Sequence, residues 1–116
     1  MKKLATSVVV LLLAGCATTA DLRSAAPAFE LASSKPSRVV AACITEKWQS
    51  SGVFGMAMHV DNNVLADGYS IAVSNQSTVQ VMADVHDSGT GSTVKFYKPG
   101  FVMATGRFED AIKACQ

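Results

Sequence analysis

The chain has 116 residues, and its ten basic and nine acidic side chains give a net charge of +1 at pH 7. This length fits one small domain with a short extension. The near-zero charge gives the chain no electrostatic basis for binding nucleic acid, and it offers no polybasic patch for anionic lipid. Beyond the N-terminal segment, no stretch approaches the run of about 18 apolar residues that indicates a membrane-spanning helix.

The start of the chain has the pattern of an export signal. Lys2 and Lys3 form a short basic region, and the segment 4–13 that follows is mostly apolar. About ten apolar residues are too few to span a bilayer, which needs about 20. The small residues Ala14 and Gly15 come next and suit cleavage by a signal peptidase.

Leu13-Ala14-Gly15-Cys16 resembles the lipobox of bacterial lipoproteins. The resemblance implies that residues 1–15 are a signal peptide, that cleavage occurs before Cys16, and that lipid is attached to Cys16. Two or three acyl chains anchor a protein firmly, whereas one chain binds only marginally. Ala17, where an Asp would retain the protein, favours the outer membrane under enterobacteria-like sorting. The alternative is an ordinary secretory signal peptide with an incidental cysteine.

Two cysteines, Cys43 and Cys115, remain when Cys16 carries lipid. In an oxidising envelope compartment, this pair favours one disulfide bond. The bond would close a loop of about 73 residues and stabilise the domain by about 4 kcal/mol in the chain-entropy model. Two free buried thiols are the alternative, and the long separation argues against a CxxC redox pair.

Residues 16–35 are predicted to be a lipidated flexible tether. The segment is rich in Ala, Ser and Thr, contains Pro27 and shows no sustained periodicity. As a coil it would span about 25 Å on average and lift the domain off the lipid surface. Phe29 and Leu31 could instead dock on the domain, an alternative that the residues leave open.

Residues 36–116 are predicted to form a disulfide-bonded domain that opens with a helix. Pro36 is well tolerated in a first helical turn, and neighbouring serines offer capping oxygens. One face of this helix carries residues at i, i+3 and i+4 spacing, namely Val40, Cys43, Ile44, Lys47 and Trp48. The helix is expected to end at 50–52.

Four strand signals follow, each with apolar and polar residues in alternation. The strands are predicted at 54–60, 68–74, 78–86 and 93–97, and the turns at 61–63, 75–76 and 87–91. The inward positions are Met56, Met58, Val60, Tyr69, Ile71, Val73, Val79, Val81, Ala83, Val85, Val94 and Phe96.

A final helix is predicted to start near Gly106. Its apolar face carries Phe108, Ala111, Ile112 and Cys115. Short turns force antiparallel pairing of the strands, and one apolar face per strand requires cover on one side of the sheet only. The predicted class is α+β, a four-stranded antiparallel meander with N- and C-terminal helices packed on one face (α-β-β-β-β-α).

The polar face of this sheet is the candidate partner face, because the helices cover the other side. Its candidate residues are His59, Gln80, Met82, Asp84, His86, Lys95 and Tyr97. A plain solvated sheet face is the alternative interpretation.

No catalytic site, metal site or cofactor is predicted. His59 and His86 are expected on the polar face about 10 Å apart, which is too far for direct ligation of one metal ion. Asp84, His86 and Ser88 are crowded at one strand end, and such spacing does not by itself form a nucleophile–base relay.

Several short motifs of the mature part resemble those of small proteobacterial lipoproteins of uncharacterised function. These motifs are Ala42-Cys43-Ile44 with Trp48, Gly68-Tyr69-Ser70, Gly91-Ser92-Thr93-Val94 and Ala114-Cys115-Gln116. The resemblance carries no known active residues, so it implies the fold and the compartment only. We expect a non-enzymatic envelope lipoprotein, anchored through Cys16, that binds an envelope protein. The alternatives are a surface-protection lipoprotein from a phage or mobile element, and a small envelope hydrolase.

Overall fold

A computed structural model describes residues 18–50, 59–75, 78–100 and 105–116 of the chain. These residues form α1 (Thr19–Ser24), β1 (Phe29–Ser33), α2 (Ser37–Ser50), β2 (His59–Leu65), β3 (Gly68–Asn75), β4 (Thr78–Ser88), β5 (Gly91–Tyr97) and α3 (Gly106–Ala114). Helices and an antiparallel sheet are both present, so the fold is α+β.

Within the described ranges, five strands form one antiparallel sheet in the order β1-β5-β4-β3-β2. Strands β2 to β5 follow one another as a meander, and β1 pairs with β5 at one edge, with Phe29 opposite Phe96. The prediction of four strands was wrong because β1 adds a fifth. This strand comes from the segment that was predicted to be a flexible tether.

The packing of its apolar side chains explains why β1 joins the sheet. Phe29 and Leu31 both pack against the hydrophobic core. The rings of Phe29 and Phe96 stack with their centroids 5.2 Å apart. The Ala28 N–H donates to the Phe96 carbonyl at 2.7 Å, immediately before the strand begins. Docking of Phe29 and Leu31, the alternative left open by the sequence, is therefore what the structure shows.

The main hydrophobic core lies between one face of the sheet and the helices α2 and α3. Its largest fully buried side chains are Trp48, Phe96, Ile44, Ile71 and Ile112. The Trp48 indole N–H donates to the Phe108 carbonyl at 3.2 Å, which satisfies its polar atom inside the core. Trp48 also packs edge-on against Phe96 and Phe108. The apolar faces predicted for the two helices are thus the faces that are buried.

A disulfide bond between Cys43 and Cys115 ties α2 to the end of α3, which confirms the predicted pairing. The two Cα atoms are 5.8 Å apart, and 72 positions separate the residues in the sequence. Both side chains pack against the main core. The bond therefore fastens together the two helices that cover one face of the sheet.

The first turn of the meander lies later in the chain than predicted. Positions 61–63 belong to β2, and the chain reverses at Ala66-Asp67. Gly68 directly follows this turn, and only glycine fits there because a Cβ would lie 1.8 Å from the Val85 carbonyl oxygen. Residues 54–58 of the predicted strand, including Met56 and Met58, lie outside the described residues.

A β-bulge in β4 places Val79 on the face opposite to the one predicted. Val73 lies opposite Val81, whereas Ser74 lies opposite Val79, so Gln80 is the extra residue. After the bulge, Val81, Ala83 and Val85 face the main core as predicted, but Val79 packs on the other side of the sheet. The prediction for Val79 was wrong because strict alternation does not include a bulge.

The turn between β4 and β5 is shorter than the predicted loop 87–91. The strands extend to Ser88 and from Gly91, so Gly89 and Thr90 alone form the turn. Gly89 has a φ of 59°, the left-handed conformation that glycine adopts most readily. Among the helices of the described ranges, none is long and apolar enough to cross a membrane.

Candidate functional site

Helix α1 covers part of the sheet face that lies opposite α2 and α3, which we call the second face. Leu22 of α1 is 6% exposed and packs with Ala72, Met82 and Tyr97 in a small apolar cluster. Val79 adds to this cluster as a consequence of the bulge. The face predicted to be open and polar therefore carries an apolar patch and a helix that buries it.

The N-terminus of α1 is held by a capping box. The Thr18 hydroxyl accepts the Asp21 N–H at 3.2 Å, and the Asp21 carboxylate accepts the Thr18 N–H at 3.1 Å. A helix of six residues is too short to be stable alone in water. Its formation here depends on this cap and on its contacts with the sheet.

Arg23 makes the polar contact between α1 and the second face. Its Nε donates to one Asp84 oxygen at 2.7 Å, and its Nη2 donates to the other at 2.9 Å. The same Nη2 also donates to the Ser70 hydroxyl at 2.8 Å. The Asp84 side chain is 3% exposed and that of Arg23 is 36% exposed. A bidentate pair of this kind is among the stronger side-chain interactions in proteins.

The pair keeps both groups charged. Burial by itself raises the pKa of Asp84, but the hydrogen bonds from Arg23 and Ser70 and the positive charge of Arg23 outweigh burial. The pKa of Asp84 is consequently below its ordinary value. The hydrogen bond to Asp84 raises the pKa of Arg23 above its ordinary value, with burial opposing.

Three residues of the predicted partner face are buried on the second face. Met82 is fully buried, Tyr97 is nearly so, and both pack with Leu22 of α1. Asp84 is occupied by Arg23. These three side chains cannot reach a partner while α1 is in place.

Lys95 and His86 remain accessible and lie in one open groove at the other end of the second face. The groove has a volume of about 430 Å³ and is lined by Glu30, Asp67, His86, Asp87, Ser88, Thr93 and Lys95. We call it the polar groove. Lys95 Nζ lies 3.7 Å from a Glu30 oxygen, and His86 Nδ1 lies 3.1 Å from both oxygens of Asp67. One cation, three carboxylates and an imidazole are thus brought together.

His59 and Gln80 lie away from this groove. The two histidines pair with opposite ends of β3. His59 lies opposite Ser74, near the end of β3, whereas His86 lies opposite Gly68, where β3 begins. The expected separation of about 10 Å between the histidines was wrong, because β2 begins at His59 instead of ending near it. His59 Nε2 pairs with Asp61 at 3.1 Å, and both are exposed. Across the described part of the chain, no cluster of three or more His, Cys, Asp or Glu could hold a metal ion.

Asp67 and His86 form an oriented acid–imidazole pair. His86 Nδ1 contacts both carboxylate oxygens of Asp67, and this contact fixes the orientation of the ring. The other ring nitrogen, Nε2, does not contact Asp67. Ser88 is two residues further along β4, and among the contacts of the described residues it has no hydrogen bond to His86. The pair therefore supplies a base or a hydrogen-bonding group without an attached nucleophile.

Several residues of this face could not be identified as site residues from sequence. Arg23, Glu30 and Asp67 lie in segments predicted to be a tether or a strand connection. The spacing Thr18-x-x-Asp21 is a helix-start signature and could have indicated α1. The partner of Arg23 has no local signal, because Asp84 is 61 residues away.

Cys16 lies outside the described residues, so its lipidation stays a prediction. The described chain begins at Thr18, two positions after it. Comparison with protein-family models, with curated proteins and with solved structures finds no match to this chain.

Proposed function

We propose that this chain is a lipid-anchored protein of the bacterial envelope, held in the outer membrane through Cys16, and that it serves as a non-enzymatic interaction module. The observation that supports the interaction role is the polar groove, which is an accessible part of the second face. The signal-like start of the chain and the lipobox-like motif support the anchor. The Cys43–Cys115 disulfide supports an oxidising compartment.

The polar groove suits a protein partner because its charged side chains are only weakly paired with each other. The side chains of Lys95 and Glu30 are 39% and 53% exposed, and their charged atoms are 3.7 Å apart. Exposed pairs of this kind contribute about 0–1 kcal/mol to stability. Exchanging such a pair for charges of a partner therefore costs the domain little. A partner with both signs of charge fits this lining best.

Mass spectrometry of protein purified from native membranes tests the anchor. We expect a mature N-terminus at Cys16 carrying a diacylglyceryl group and an acylated amine. A Cys16→Ser variant should lose the lipid mass and leave the membrane fraction. An unmodified residue at position 16 in the native protein would contradict this part of the proposal.

A charge-swap experiment tests the polar groove. The double variant Glu30→Lys/Lys95→Glu keeps the pairing across β1 and β5 but reverses the pattern that a partner meets. We expect cross-linked partners in intact envelopes to be lost. The matched control is Lys98→Glu/Glu109→Lys, which swaps an ion pair of 3.6 Å outside the groove. Retention of the same partners in both variants would contradict a role for the groove.

The Asp67–His86 pair favours a small hydrolase as the second candidate. An imidazole held by a carboxylate is the base component of many hydrolytic sites, and Ser88 and Thr93 both contribute hydroxyl groups to the groove. Labelling with a serine-reactive fluorophosphonate tests this candidate. Labelling of the wild type that disappears in both Ser88→Ala and His86→Ala would support it, and an unlabelled wild type would contradict it.

A further inference from the structure

We propose that the link from Cys16 to Thr18 acts as a short leash: through α1 it attaches the domain close to the bilayer, with the second face and the polar groove towards the bilayer and with α2 and α3 away from it. This inference rests on the proposed lipidation of Cys16. It replaces the long flexible spacer expected from composition with an almost direct attachment of the folded domain to lipid.

The length of the leash follows from covalent geometry. Consecutive Cα atoms are about 3.8 Å apart, so the Cα atoms of Cys16 and Thr18 are at most about 7.6 Å apart. Thr18 is already part of the folded domain, because it caps α1. The unstructured spacer predicted for residues 16–35 would instead have averaged about 25 Å. The domain therefore has little freedom to move away from a lipid on Cys16.

The second face holds the end of the leash. Leu22 lies in the apolar cluster of that face, and Arg23 binds Asp84 and Ser70. Thr18 and Leu22 are four positions apart along the chain, a rise of about 6 Å in a helix. Together with the link of at most about 7.6 Å, this puts the Cα atom of a lipid-bearing Cys16 within about 14 Å of the Cα atom of Leu22, whose side chain belongs to the apolar cluster.

This attachment excludes an orientation with α2 and α3 against the bilayer. These helices lie on the opposite side of the sheet, a layer spacing of about 10 Å away, and each helix is itself about 10 Å thick. A link of at most about 7.6 Å that starts on the second face cannot pass around the sheet edge to reach beyond them. The polar groove shares the second face, so it lies on the side of the sheet to which the anchor is attached.

Energy transfer to a labelled bilayer tests the orientation on the full lipidated protein in phosphatidylethanolamine–phosphatidylglycerol vesicles. A fluorescent donor is placed through a clickable amino acid at position 95 on the second face, or at position 49 on the exposed side of α2, which leaves all cysteines unchanged. The acceptor is attached to lipid headgroups. We expect the donor at position 95 to lie at least about 10 Å nearer the acceptor plane. Equal distances, or a nearer position 49, would overturn the leash.

A linker insertion distinguishes two causes of the orientation, namely the short leash and an affinity of the second face for lipid. About twelve Gly and Ser residues between Ala17 and Thr18 leave α1 and its contacts unchanged but add roughly 20 Å of reach. We expect the difference between positions 95 and 49 to collapse in this variant. Persistence of the full difference would overturn the leash, because the surface would then orient itself.

Mass measurement on the same samples distinguishes the two proposals. If lipid is present on Cys16 and the two labels are equidistant from the bilayer, the leash fails and the anchor stands. If no lipid is present, the anchor fails and the leash fails with it.

Discussion

Arg23 binds Asp84 through two hydrogen bonds of 2.7 and 2.9 Å, although 61 residues separate them in the sequence. The contact joins the first helix of the described chain to the central strand of the sheet. Asp84 is buried, and burial of a carboxylate without a partner is costly. The position of α1 and the charge of Asp84 therefore depend on each other.

Removal of the guanidinium should destabilise the domain. Arg23→Ala leaves a buried carboxylate without its bidentate partner, and we expect the free energy of unfolding to fall by about 2 kcal/mol. We expect a smaller loss of stability than for a fully buried ion pair, because the Arg23 side chain is 36% exposed. Urea unfolding at pH 7 measures it.

Lys98→Ala is the matched control, because Lys98 pairs with Glu109 at 3.6 Å with partial exposure of both side chains. That variant should lose less than about 1 kcal/mol. A loss in Arg23→Ala no greater than in Lys98→Ala would show that the pair does not hold α1.

Acid should remove the contribution of Asp84. The folded pKa of Asp84 is below its ordinary value, so the unfolded chain binds the proton first as pH falls. The stabilisation is complete above the unfolded pKa of about 3.9 and is lost as pH falls through the lower folded pKa. We expect the stability difference between wild type and Asp84→Asn to shrink below about pH 4.

Urea unfolding between pH 7 and pH 2.5 measures this difference. Asp110→Asn, at an exposed position of α3, is the control and should show no comparable loss. A difference between wild type and Asp84→Asn that grows on acidification would contradict the expected direction of the effect.

The disulfide should supply a large part of the domain's stability. Replacing both Cys43 and Cys115 by Ala removes a cross-link between residues 72 positions apart. The chain-entropy model gives a loss of about 4 kcal/mol. Unfolding of the double variant, compared with the wild type before and after reduction, measures the effect. A double variant as stable as the oxidised wild type would be inconsistent with this role.

Gly68 should not tolerate a side chain. A Cβ at this position would lie 1.8 Å from the Val85 carbonyl oxygen, which is backbone and cannot rotate away. We expect Gly68→Ala to cost about 2–3 kcal/mol through displacement of β3 from β4. Gly106→Ala is the control, because a Cβ there meets nothing within 4 Å. Thermal unfolding of the two variants compares them, and equal melting temperatures would refute the steric argument.

Sequence periodicity predicted the parts of the fold that local patterns specify. Both long helices were identified by their apolar faces, and β3 was placed correctly because Gly68 precedes an alternating segment. The Cys43–Cys115 bond was predicted from compartment and cysteine number. These features need only spacing along the chain and the requirement that one face be buried.

Long-range contacts determine the features that were not predicted from the sequence. β1 is stable because Phe29 stacks on Phe96. α1 is stable because Leu22 packs against Met82 and Arg23 binds Asp84. No property of residues 18–33 alone predicts either partner. The same holds for the candidate site, since three of its seven predicted residues are buried by a helix that was expected to be tether.

The pairing of β1 with β5 sets an order of assembly as the chain is made. β1 is synthesised first of the five strands, but its strand neighbour within the described sheet ends at Tyr97, so this edge cannot close until all five strands have been made. Cys115 is synthesised later still, so its bond to Cys43 can form only after the sheet and both helices of the main core are available. Until then the meander has an unpaired edge at β5 and lacks its cross-link.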